Sequence, residues 1–87
     1  MVSRSEVYVA IDSEREYQES RVQKDSGHPD HSVEEFVLYM EYYLQETRRI
    51  ASTTWGPSAK PATLEFVRKV TALGVACMEK HGAPHRE

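Results

Sequence analysis

Two breaks decide what this chain can fold into. The first is DSGHPDH, Asp25–His31, which carries Gly27 and Pro29. The second is TTWGPSAK, Thr53–Lys60, which carries Gly56, Pro57 and Trp55, the only tryptophan. Glycine opens turn conformations and proline removes a backbone donor, so neither stretch continues a helix. Between and beside the breaks lie segments of about 20 residues whose apolar positions recur at helical spacing. The expected fold is all-α and a single domain, residues 1–87. The second and third helices form an antiparallel hairpin, an N-terminal helix packs across it, and the whole assembles as a homo-oligomer. No internal repeat is present.

The first helix is expected from Ser5 to Lys24, with Ser5 as N-cap and Glu6 in the first turn. Val7, Ala10 and Ile11 make a short apolar stripe. At the same spacing the stripe then lands on Glu14, Tyr17, Gln18 and Arg21. A buried polar group costs free energy unless it finds a partner. This turn is therefore either a solvated helix end or a polar seam against a subunit or ligand.

The second helix starts at a capping box, SVEE, with Ser32 at the N-cap and Glu35 three residues on. It is expected to run to Ser52. Its apolar set, from Val33 and Phe36 through Met40, Tyr43 and Leu44 to Ile50, is broad enough to meet more than one neighbour. The third helix is expected from Pro61 to His81, with Gly82 at the C′ position and Pro84 as a stop. A glycine inside a helix costs about 1 kcal/mol against alanine. Gly74 is therefore expected to permit a close backbone approach by another helix.

Composition narrows the function classes. A chain of 87 residues buries a modest core, so the remaining apolar surface is expected to be covered by another subunit. A net charge of -3 disfavours a general nucleic-acid binder. No apolar run approaches the roughly 20 residues of a membrane span. The single cysteine, Cys77, excludes an intrachain disulfide. MVSRSEVYVAI shows no signal-peptide pattern, and a cytoplasmic protein is expected.

No nucleophile elbow, P-loop or dinucleotide fingerprint occurs. Helical nucleotide pyrophosphatases hold magnesium with paired acidic residues on two helices. Here Glu34, Glu35 and Glu41 share one helix, but the third offers only Glu65 and Glu79. No enzyme is expected, and no cofactor. HPDH, and Cys77 with His81 and His85, have zinc-like spacings, but neither makes a four-ligand set and each spans a Gly or Pro.

The remaining chemistry is that of anion and base recognition. Arg21, Arg48, Lys60, Arg68 and Lys69 are expected to hold phosphate, while Tyr17, Tyr39 and Trp55 stack on a base. Glu14 and Gln18 would bind ribose hydroxyls or base edges. The plainer reading of the aromatic set is core and subunit interface, and it is the one expected for Phe36 and Tyr43.

IDSEREYQ, HSVEEFVLYMEYYLQE and TWGPSAKPATLEFVRKVTALGVACMEKHGAPHR together resemble a family of small proteins encoded in phage and prophage genomes, over nearly the whole chain. The resemblance implies a host-cell setting and supplies no catalytic residues. In size and architecture the chain is similar to phage anti-CBASS nucleotide sponges. That implies a counter-defence protein that sequesters a small anionic nucleotide, cyclic or of ADP-ribose type, without hydrolysing it. Two alternatives stand beside it: a phage accessory protein that binds and inhibits a host protein, and a degenerate nucleotide pyrophosphatase-like protein.

Overall fold

The computed structural model of the chain describes residues 1–24, 31–53 and 59–86. Among them the fold is all-α, with three helices: α1 Arg4–Lys24, α2 Val33–Thr53 and α3 Ala59–His81. Most of both breaks, including Trp55, lies outside the described residues.

The helix ends show how local chemistry sets the boundaries. At α2 the expected capping box is formed. The Glu35 backbone N–H donates to Ser32 Oγ at 3.1 Å, and the Ser32 N–H donates to Glu35 Oε1 at 2.9 Å. That backbone donor is the main reason the Glu35 carboxyl sits below the usual carboxylate range. At α1 the expected cap, Ser5, is corrected to Ser3. The Glu6 N–H donates to Ser3 Oγ at 3.2 Å, and the Ser3 N–H reaches Glu6 Oε1 at 3.4 Å. Ser3 and Glu6 are themselves three apart, so a second capping box starts the helix earlier. At α3 the helix opens at Ala59, not Pro61. Pro61 still falls in the first turn, where a missing N–H leaves no helical bond unmade. The stop is as expected: Gly82 adopts φ +115 and its N–H donates to the Met78 carbonyl at 2.9 Å.

α3 packs against both α1 and α2, whereas the backbones of α1 and α2 make no close contact among the described residues. α1 thus rests on α3 alone. Along α2, Phe36 faces His81 with ring centroids 6.2 Å apart, Met40 lies beside Gly74, and Tyr43 faces Phe66 at 6.2 Å. Buried apolar side chains among the described residues are Ile11, Phe36, Ala72 and Ala76. Ala72 and Ala76 stand one turn apart on α3, and Ala72 is fully sealed. The predicted role of Gly74 is corrected. A methyl group added there would stand 3.8 Å from Met40 Sδ, an ordinary contact, so helix spacing does not demand glycine.

The molecule is open for its size. Its radius of gyration is 14.4 Å, against about 12 Å for a compact chain of this length. Its accessible surface is 7075 Å², against roughly 5,200 Å² for a compact protein of this mass. Among the described residues no helix is long and apolar enough to cross a membrane.

Gly74 within α3 and Gly82 just past its end make opposite predictions. Gly74→Ala raises stability by about 0.5–1 kcal/mol, because the methyl fits and the unfolded chain loses freedom. Gly82→Ala lowers it by about 1 kcal/mol, because alanine is strained at that φ. Urea unfolding midpoints of both variants check the pair of signs.

Candidate functional site

The site begins where the apolar stripe of α1 gives out. Ile11 is buried against α3, and one turn later the same side presents Glu14, only 7% exposed. Its partner comes from α3. Arg68 Nε donates to Glu14 Oε1 at 2.8 Å, while Nη1 and Nη2 donate to the Glu65 carboxylate at 3.1 and 2.9 Å. Glu65 lies one turn before Arg68, so its two bonds fix the guanidinium plane and aim Nε across the helix boundary. Glu65 first and Glu14 second hold the Arg68 proton more firmly than usual. The Glu65 carboxyl is held below its usual range by the bonds from Arg68.

The next residue repeats the device. Arg15 Nη2 and Nε donate to the Glu79 carboxylate at 2.6 and 3.3 Å, and Nη2 also meets Glu19 at 3.1 Å. The bond from Arg15 depresses the Glu79 carboxyl. Gln18 Nε2 donates to the Lys69 carbonyl at 3.4 Å. Both carboxylates of α3, Glu65 and Glu79, are thus engaged by arginines.

Beside this seam runs a groove of about 270 Å³ lined by Glu14, Tyr17, Gln18, Arg21, Tyr43, Lys69 and Leu73. It brings together five of the residues expected to bind ligand: Glu14, Tyr17, Gln18, Arg21 and Lys69. Glu14 is buried, Gln18 half-buried, and Tyr17 and Arg21 exposed. The polar turn of α1 is therefore neither wholly seam nor wholly solvent. Lys69 Nζ stands 5.2 Å from the centre of the Phe66 ring, a cation–π contact. Glu14 is answered by Arg68, so Lys69 and Arg21 set the sign of the groove.

The other predicted residues are placed differently. Arg68 lines an adjoining hollow of about 520 Å³ with Ser13, Glu14, Tyr17, Glu65 and Lys69. Its guanidinium is committed to Glu14 and Glu65, so its observed work is to position α1. Tyr39 lies with Glu35, Leu38, Tyr42 and Tyr43 in a mainly apolar hollow of about 450 Å³. That hollow meets the groove through Tyr43, which lines both. Arg48 is exposed on α2 and Lys60 is exposed at the start of α3. Neither lines the groove. Trp55 lies outside the described residues.

Tyr43 and Leu73 were not expected in the groove. Both are half-buried, and a tyrosine so placed can keep its body in the core and its hydroxyl in water. Both belong to the apolar sets of their helices, so spacing alone carried no signal for this place. The histidines of the two zinc-like groups meet each other instead. The His81 ring nitrogen Nε2 lies 2.8 Å from the His31 carbonyl, and His31 Nδ1 lies 3.5 Å from Glu35 Oε2. Among the described residues no three His, Cys, Asp or Glu side chains gather as a metal site.

Arg68→Ala leaves the Glu14 carboxylate buried without its partner and lowers stability by about 2 kcal/mol. Replacing both, Glu14→Leu with Arg68→Met, recovers most of that loss; chemical denaturation of the single and double variants measures it. Glu79 gives a pH prediction. Its folded pKa lies below its ordinary value of 4.5, so the Arg15 contact contributes fully above that value and fades as pH falls through the folded one. Half-exposed, the pair is worth about 0.5 kcal/mol at pH 7. The stability difference between wild type and Glu79→Gln is present at pH 7 and shrinks as the pH is lowered below the ordinary carboxylate value of 4.5, as a pH series of denaturation midpoints measures.

No protein-family model, curated protein or solved structure matches this chain.

Proposed function

We propose that the chain is a binding protein without turnover, a homo-oligomer that captures a small anionic nucleotide of cyclic or ADP-ribose type. The observation that carries this reading is the groove in which Tyr17 and Tyr43 stand beside Lys69 and Arg21. A nucleobase stacked on a tyrosine gains about 1–3 kcal/mol whatever its sequence. A phosphate is met by the ammonium and guanidinium groups through charge-assisted bonds. Continuity with the aromatic hollow around Tyr39 and Tyr42 extends the site toward the volume typical of small-molecule pockets. Arg68 serves this site by holding Glu14.

In this reading α2 and α3 form an antiparallel hairpin. The order of their contacts supports it: residues 36, 40 and 43 of α2 meet 81, 74 and 66 of α3. The open shape and large surface of one chain support an assembly. The setting, phage counter-defence in a host cell, rests on sequence resemblance alone.

A second reading is favoured by Leu38, Tyr39 and Tyr42, exposed together on α2. Aromatic surfaces of this kind are enriched at protein interfaces. It is an accessory protein that inhibits a host protein, and a stoichiometric partner retained from host lysate distinguishes it.

Isothermal titration against a panel of cyclic dinucleotides, cyclic trinucleotides and ADP-ribose derivatives tests the first reading. At least one ligand binds, and Tyr17→Ala weakens it about tenfold, the loss of one stacking contact. Absence of binding by folded protein across the panel would remove the reading.

A further inference from the structure

The exposed aliphatic side chains of α2 and α3 are not scattered. On α3, Leu64, Val67, Thr71 and Met78 recur at intervals of three, four and seven. On α2, Val37, Leu44 and Ala51 recur at sevens, with Met40 and Thr47 between them. Positions seven apart share one helix face. Met40 and Thr47 are half-buried, while Val37 and Leu44 remain 50% and 53% exposed. On α3, Leu64, Val67 and Met78 remain 55%, 45% and 47% exposed. Each helix therefore carries an outward row of the kind that normally meets further helices. A hollow of about 560 Å³ with Val7, Ile11, Leu64 and Val67 in its walls continues this face onto α1; Glu6 also lines it, as do Glu65 and Arg68, which are paired with each other.

We infer that this face binds a second copy of the chain about a two-fold axis, so that α2 and α3 of both copies share one four-helix core. Area is the first argument. One chain exposes roughly 1,800 Å² more than a compact protein of its mass, and a stable pair needs about 800 Å² from each partner. Charge is the second. A two-fold interface sets a patch against its own copy, so any charge near the axis meets its like. The row positions on both helices are all uncharged, although the chain carries a net charge of -3. A self-complementary aliphatic surface fits that requirement.

This inference deepens the homo-oligomer part of the proposed function and does not depend on any ligand. Mass is therefore measured on ligand-free protein, so failure here is separable from failure of the nucleotide panel. By sedimentation equilibrium the wild type shows twice the chain mass of 10.0 kDa or an even multiple. Val67→Glu halves the mass of the assembly at least, with helical circular dichroism retained, while Leu38→Glu on the tyrosine side leaves it unchanged. A wild type at the single-chain mass, or dissociation by Leu38→Glu and not by Val67→Glu, overturns the assignment. If Val67→Glu does not fold, bismaleimide crosslinking in a Cys77→Ser background decides. Thr71→Cys then gives covalent dimers and Leu38→Cys does not. Crosslinks at Leu38→Cys alone, or at neither position, overturn it.

Discussion

α3 has to hold two helices whose backbones make no close approach to each other among the described residues, and it does so with little buried apolar surface. Ala72 and Ala76 are sealed, but they are small, and Phe36 and Ile11 are the larger side chains that join them in the core among the described residues. α1 contributes almost no stripe beyond Ile11. Past that point polar contacts replace apolar burial: Glu14 with Arg68, Arg15 with Glu79, and Gln18 with the Lys69 carbonyl. Contacts of this kind add little net stability, yet removing one partner of a buried pair is costly. Their effect is directional. They fix the rotation of α1 about its own axis, and that rotation puts Tyr17 and Arg21 at the groove beside Lys69 and Tyr43.

The same economy divides the surface into two kinds. On one side, tyrosines and cations stand together, with a hollow that remains open and amphipathic. On the other, the aliphatic rows of α2 and α3 carry no charge. A ligand with a ring and a negative charge suits the first kind of surface. A second copy of the chain suits the second, because aliphatic rows can face their own copy across a two-fold axis without repulsion. In the proposed reading, assembly and ligand capture would occupy separate surfaces of one small domain, with the polar seam of α1 between the core and the groove.

What the sequence disclosed followed the range of the interaction. Ser32 with Glu35 and the stop at Gly82 are decided within a turn, and both were legible. Ser3 with Glu6 is the same local signal, passed over because Ser5 stands nearer the apolar run. The break in the α1 stripe left open whether Glu14 and Gln18 meet water or a partner, and it suggested a subunit or ligand as that partner; the partners found are on α3 of the same chain. It could not name Arg68, Glu79 or the Lys69 carbonyl, which lie more than fifty positions away and leave no local trace. For the same reason Arg68 read as a phosphate ligand, when two carboxylates already hold it. Tyr43 read as core because spacing reports which side of a helix a residue occupies, not how far the neighbouring helix covers it.

If one chain is physically incomplete, folding and association are a single event, and stability depends on protein concentration. Urea unfolding followed by circular dichroism over about a hundredfold range of concentration measures that dependence directly. The midpoint should rise steadily with concentration. A midpoint that stays constant across the range would show that the three helices of a single chain are sufficient, and would contradict a core completed by a second copy.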